Sequence, residues 1–135
     1  MSTEQTQQLV QQFLQALTQR KLPELLELFA DRVDWHIPGN AQLAPWLGRR
    51  ESKQEIEDFF VLLWENTEPV NARLHHIIAE ENFAVVIGDF STKMLKTGKI
   101  VDSVFSIHIT AENNKIVRYC LQEDSYAVAE ALSAG

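Results

Sequence analysis

The sequence predicts an α+β domain, with helices gathered on one side of a curved antiparallel sheet. Two observations carry that prediction. Helical periodicity dominates the first half: Leu9, Phe13 and Leu17 recur at i, i+4, i+8, and a capping-box sequence opens a second long apolar stripe at Ser52. From Pro69 onward the period drops to two, and Glu80-Glu81-Asn82, Thr97-Gly98 and Asn113-Asn114 punctuate long alternating runs.

Taken in order, Thr3 to Gln19 reads as a helix with its glutamines on the open face, ended by Lys21-Leu22-Pro23. Pro23 suits the first turn of a short second helix, whose buried side would be Leu25, Leu26, Leu28 and Phe29. Val33 to Ile37 reads as a short strand with Val33, Trp35 and Ile37 on one face, stopped by Pro38-Gly39. Asn40 to Arg50 reads as a loop. Ser52-Lys53-Gln54-Glu55 caps a third helix with a stripe of Ile56, Phe59, Phe60 and Leu63. Pro69–Ala79 and Phe83–Leu95 are strands, and Ser125–Leu132 is a closing helix capped by Asp124.

Lys99 to Tyr126 organises the rest. Val101, Ser103, Phe105, Ile107 and Ile109 alternate with Asp102, Val104, Ser106, His108 and Thr110, and Val117, Tyr119 and Leu121 alternate with Arg118, Cys120 and Gln122. Paired residues share a face, so the loop must match the apolar sets. A three-residue loop, Glu112-Asn113-Asn114, does so and pairs Tyr119 with Ile107 and Leu121 with Phe105. Ser103, Phe105, Tyr119, Leu121 and Glu123 then share the inner face. At the preceding turn, a Lys96-Thr97-Gly98 loop brings Val85, Ile87 and Asp89 to the face of Phe105. A two-residue Thr97-Gly98 loop brings Phe90 there instead, and the first arrangement is preferred.

Composition narrows the function. A chain of 135 residues, 45% hydrophobic and 23% charged, suits one domain spanning residues 1–135 with a substantial core. A net charge of −7 argues against nucleic acid as a partner, which calls for a basic footprint. No apolar run reaches membrane-spanning length and the Gln-rich start is unlike a signal peptide, so a cytoplasmic location and no membrane partner are expected. The single cysteine excludes an internal disulfide. No phosphate-cradling glycine loop or dinucleotide fingerprint occurs, and no cofactor is expected. Of the four histidines, His75 and His76 are neighbours on a strand and point apart, while His36 and His108 fall on the outer face; no metal site is expected.

The phrases LPELLELFADRVDWHIPG, APWLGRRESKQEIEDFF and NNKIVRYCLQEDSYAV, in that order, resemble the nuclear transport factor 2-like superfamily, and within it the ketosteroid isomerase-related and SnoaL-like polyketide cyclase branch. The resemblance covers nearly the whole chain. It implies a cone-shaped sheet that, with three N-terminal helices, encloses a deep apolar pocket. It also implies a homodimer packed through the outer sheet face, where Val104 and Cys120 lie. Steroid isomerases of this group carry a tyrosine and two acids where this chain has Phe13, Ile37 and Phe105. A hydrocarbon cannot move a proton, so that chemistry is not expected here.

The expected ligand is a small apolar or aromatic molecule. Its pocket would be lined by Phe13, Trp35, Ile37, Trp46, Phe60, Val85, Ile87, Ser103, Phe105, Leu121 and Glu123. Trp35 and Trp46 read equally well as core packing and a loop plug. If the protein is an enzyme, the expected class is acid–base isomerisation, cyclisation or dehydration, with Asp89 as a base of raised pKa and Tyr119 and Ser103 as donors. The rival reading is a non-catalytic dimeric or ligand-sequestering module.

Overall fold

The computed structural model describes residues 1–134; Gly135, the last residue of the expected domain, lies outside them. The elements run α1 (Thr3–Thr18), α2 (Leu22–Glu27), β1 (Phe29–Ile37), β2 (Gly48–Ser52), α3 (Lys53–Asn66), β3 (Thr67–Glu80), β4 (Phe83–Met94), β5 (Ile100–Glu112), β6 (Lys115–Glu123) and α4 (Ser125–Ala131). The six strands form one sheet in the order β2-β1-β6-β5-β4-β3. It curves without closing into a barrel, and the helices cover its inner face.

Local chemistry sets the helix ends. Ser2 and Gln5 form a reciprocal capping box on α1, as Ser52 and Glu55 do on α3. At the far end of α1 the Lys21 amide donates to the Ala16 carbonyl at 3.0 Å and the Arg20 amide to the Leu17 carbonyl at 3.2 Å. That closing motif requires a left-handed residue, and Arg20 takes it with φ 52°. Asp124 caps α4 by accepting from the Ala127 amide at 3.0 Å, as its position in the sequence suggests.

Three strand assignments differ from expectation. The sheet is mixed, because β1 runs parallel to β6. β1 begins at Phe29, which the helical spacing had assigned to α2; the ring is buried under Phe13 and Tyr119. Gly48–Ser52 forms an edge strand on β1 within and after the expected loop; its residues are polar on both faces and carry no apolar alternation to reveal it.

Both predicted hairpin registers are corrected. The β5–β6 loop has two residues, Asn113 and Asn114, both with positive φ (51° and 61°), the geometry favoured between right-twisted strands. An extra residue, Val117, bulges between the partners of Thr110 and Ala111 and restores the match of apolar faces. Tyr119 therefore pairs with Ile109 and Leu121 with Ile107, and the shared inner face survives. At the β4–β5 turn, Met94 and Lys99 bond across four loop residues. The change of parity sets Gly88 opposite Phe105 and Asp89 opposite the exposed Val104.

The core lies between α1, α3 and the inner face. Phe13, Phe29, Trp35 and Tyr119 are all buried, and Trp35 lies flat on Tyr119 with centroids 4.2 Å apart and planes at 15°. Phe13 meets Tyr119 edge-on at 5.6 Å, an arrangement that ring quadrupoles favour.

Candidate functional site

A cavity of about 440 Å³ opens between the helices and the inner sheet face, within the range of small-molecule sites. α3 supplies Phe59, Phe60, Leu63 and Trp64 from one stripe. The sheet supplies Ile37 from β1, Phe90 from β4, Phe105 and Ile107 from β5, and Tyr119, Leu121 and Glu123 from β6. Trp46 and Leu47 close it from the loop before β2. Thr18 and Arg20 at the end of α1, with Pro69 and Ala72 of β3, line the cavity and are exposed, so they mark where it meets solvent.

Glu123 is the cavity's acidic group. It is half-buried, and among the described residues its carboxyl takes part in no hydrogen bond or ion pair. Loss of hydration, with repulsion from the neighbouring Asp124, pushes its pKa up to about 7. Tyr119 lines the cavity from the core, and burial, followed by the negative charge of Glu123 on the same strand, raises its pKa, keeping the phenol protonated. An acid that titrates near neutrality, in the same cavity as a phenol that stays a donor, forms a set suited to proton transfer.

Of the expected pocket residues, Ile37, Trp46, Phe60, Phe105, Tyr119, Leu121 and Glu123 line the cavity. Phe13 and Trp35 sit behind it as fully buried core. Trp35 has a buried Nε1 without an acceptor. Ser103 is structural: its hydroxyl donates to the Val104 carbonyl at 2.7 Å and accepts from the Asp124 amide at 2.9 Å, tying β5 to the start of α4.

Three expected residues are corrected. Asp89, Val85 and Ile87 lie on the outer face, because the longer β4–β5 turn inverts the parity. Asp89 there accepts from His75 Nε2 at 2.6 Å and faces the Arg73 guanidinium at 3.5 Å. The His75 hydrogen bond, followed by the charge of Arg73, holds its pKa below the ordinary carboxylate value rather than above it. His75 reaches Asp89 because β3 bulges between Leu74 and His76, which also breaks the simple alternation expected of His75 and His76.

The sequence reading missed Arg20, Phe59, Trp64 and Phe90 as cavity residues. Phe59 lay in the recognised α3 stripe, and Phe90 belonged to the less-favoured register. Arg20, a charged residue past a helix end, gave no signal. On the outer face His36, Cys120 and His108 fall in one cross-strand row, but no group of three or more potential ligands able to hold a metal occurs among the described residues. No described helix is long and apolar enough to cross a membrane.

Comparison with known proteins agrees with this architecture. An NTF2-like protein of Burkholderia xenovorans LB400 superposes with a TM-score of 0.89 at 22% identity, over 98% of this chain and 99% of that one. TerC, crystallised with polyporic acid, superposes with a TM-score of 0.82 at 16% identity, over 95% and 98% of the two chains. A protein of Mesorhizobium loti described as a SnoaL-like polyketide cyclase gives 0.70 at 16%, over 84% and 95%. No curated protein matches by sequence. The family model for the SnoaL-like domain matches residues 10–119, and the chain belongs to that family within the NTF2-like superfamily.

Proposed function

We propose that the cavity binds a small apolar or aromatic molecule and performs acid–base chemistry on it, an isomerisation, cyclisation or dehydration, with Glu123 as the proton-transfer group. The observation that supports this most is an unpartnered carboxyl in a largely apolar cavity, titrating near neutrality. An unpartnered acid in such a place costs stability, so a purely structural role gives it no return. Members of this fold are often isomerases or cyclases, and the structural neighbour TerC was crystallised with polyporic acid.

In such a reaction the Glu123 carboxylate takes a proton from a carbon beside a carbonyl, and the Tyr119 hydroxyl donates to the oxygen that gains charge. The protonated Glu123 returns the proton at another carbon, which completes an isomerisation. Phe13, Ile37 and Phe105 offer hydrocarbon where steroid isomerases carry polar groups, so the chemistry rests on β6.

Thermal shift against a library of aromatic ketones, quinones and phenols tests the binding. Ligands of the native state raise its melting temperature. Any hit is then assayed for turnover with Glu123→Gln as control. Absence of every shift sinks the pocket reading and favours the non-catalytic module; turnover that survives Glu123→Gln sinks the role of Glu123.

The homodimer belongs to the same proposal. The outer face exposes Val104 at 73%, with Ile78 further along it, which supports a face covered by a second copy.

A further inference from the structure

Arg20 stands at the cavity's mouth for no evident structural reason. It occupies the position after α1 where glycine is favoured, because φ there is 52°. Its guanidinium lies over the Trp64 ring at 5.4 Å, and both residues line the cavity. Among the described residues it takes part in none of the ion pairs. Arg20 thus sets a positive charge at the mouth of a chain whose net charge is −7.

The interior is chemically the opposite. Apart from the hydroxyls of Thr67, Thr92 and Tyr119, the walls between Trp64 and Glu123 are aromatic and aliphatic. Glu123 is on β6 and the mouth residues Pro69 and Ala72 are on β3, with β5 and β4 between. Three interstrand spacings amount to roughly 14 Å on a flat sheet, and less across a curved one. A molecule of two or three fused or linked rings spans that distance.

We infer that the cavity selects ligands with an apolar aromatic body and an anionic group at one end, a carboxylate, sulfonate or ionised enol, held at the mouth by Arg20 where it stacks on Trp64. This rests on the proposed pocket function and adds its charge preference. A planar guanidinium suits a carboxylate or sulfonate through paired N–H donors, and the Trp64 face holds it in place for them. The end of the ligand without charge is then the end presented to Tyr119 and Glu123, which orients the reacting atoms.

The test uses two probes that share one aromatic skeleton. 8-Anilinonaphthalene-1-sulfonate carries an anionic group, and N-phenyl-1-naphthylamine lacks it. Fluorescence titration of the full chain gives both dissociation constants at low salt, and mutual competition shows that they share a site. The wild type is expected to favour the sulfonate by about fivefold or more, the scale of one partly exposed charge pair. Arg20→Gln should bring the ratio of affinities close to unity, Arg20→Lys should retain much of it, and added salt should shrink it in the wild type. Since Arg20 is exposed, the variants should keep the wild-type far-ultraviolet spectrum. A ratio unaltered in Arg20→Gln overturns the inference while leaving the pocket reading intact. Failure of both probes to bind the wild type overturns the pocket reading, and this inference with it.

Discussion

His75 Nε2 donates to the Asp89 carboxylate at 2.6 Å on the outer face of the sheet, across the β3–β4 pair. An ionised carboxylate only accepts, so His75 must carry its proton on Nε2. The contact assigns Asp89 a structural part on the outer face, away from the cavity.

Asp89→Asn should therefore lower stability at neutral pH and leave Glu123 chemistry in place. The sign follows from a depressed pKa: the ionised form is favoured in the fold, so the contribution is present above the unfolded pKa and lost as pH falls through the lower folded one. Melting temperatures of wild type and variant should differ at pH 7 and converge in acid. Equal values at pH 7 would remove the assigned role.

Glu123 should act in the opposite sense. Its folded pKa of about 7 lies above the unfolded value, so folding favours the neutral acid. Stability from this group is full below the unfolded pKa, falls as pH rises toward 7, and stays low above it. Glu123→Gln should stabilise the protein at pH 8 by about 3 kcal/mol and be near neutral at pH 4.5. Urea unfolding at the two values checks both the size and the direction.

Gly88 faces Phe105 across β4 and β5, and a β-carbon there would sit 2.2 Å from the Arg73 carbonyl oxygen and 2.8 Å from Phe105 Cζ. The backbone oxygen cannot rotate away as a flexible side chain would. Gly88→Ala should cost about 1–3 kcal/mol and displace Phe105 in the cavity wall. Denaturant midpoints, with probe affinity as a second readout, measure it.

Trp35 lies under Tyr119, and Trp35→Ala should cost about 3–5 kcal/mol through the void it leaves. Trp35→Phe should cost much less than its volume suggests, because it also removes a buried N–H that has no acceptor. Chemical unfolding of the two variants side by side separates packing from the orphaned donor.

Sedimentation should show a dimer at micromolar concentration, and Val104→Lys should shift it to monomer, because Val104 is the most exposed valine on the outer face. A wild-type monomer would remove the proposed pairing.

The fold was legible where side chains follow a strict period. Capping boxes fixed the start of α3, and alternation fixed the inner face of the last hairpin. What alternation cannot register is an extra residue, and Val117 and His75 are both such residues. Errors in loop length and bulge cancelled in the last hairpin, so Tyr119, Leu121 and Glu123 came out facing inward. At the Leu95–Gly98 turn nothing cancelled, and Asp89 came out on the wrong side. Gly88 held the missing clue: a glycine amid a run of large strand residues marks a place where a neighbour needs the room. Arg20 was invisible because its role depends on where a helix end lands against α3, a tertiary fact.

β3 is a fourteen-residue strand at the free edge of the sheet, nearly all of it exposed. Such an edge invites indefinite growth by strand addition, the route to fibres. Its two irregularities, at Val70 and His75, and Pro69, which has no N–H to offer, divide that edge into short stretches out of step with one another. An incoming straight strand can match only a few residues before losing register. The bulge that delivers His75 to Asp89 thus also interrupts the one long edge along which another strand could pair.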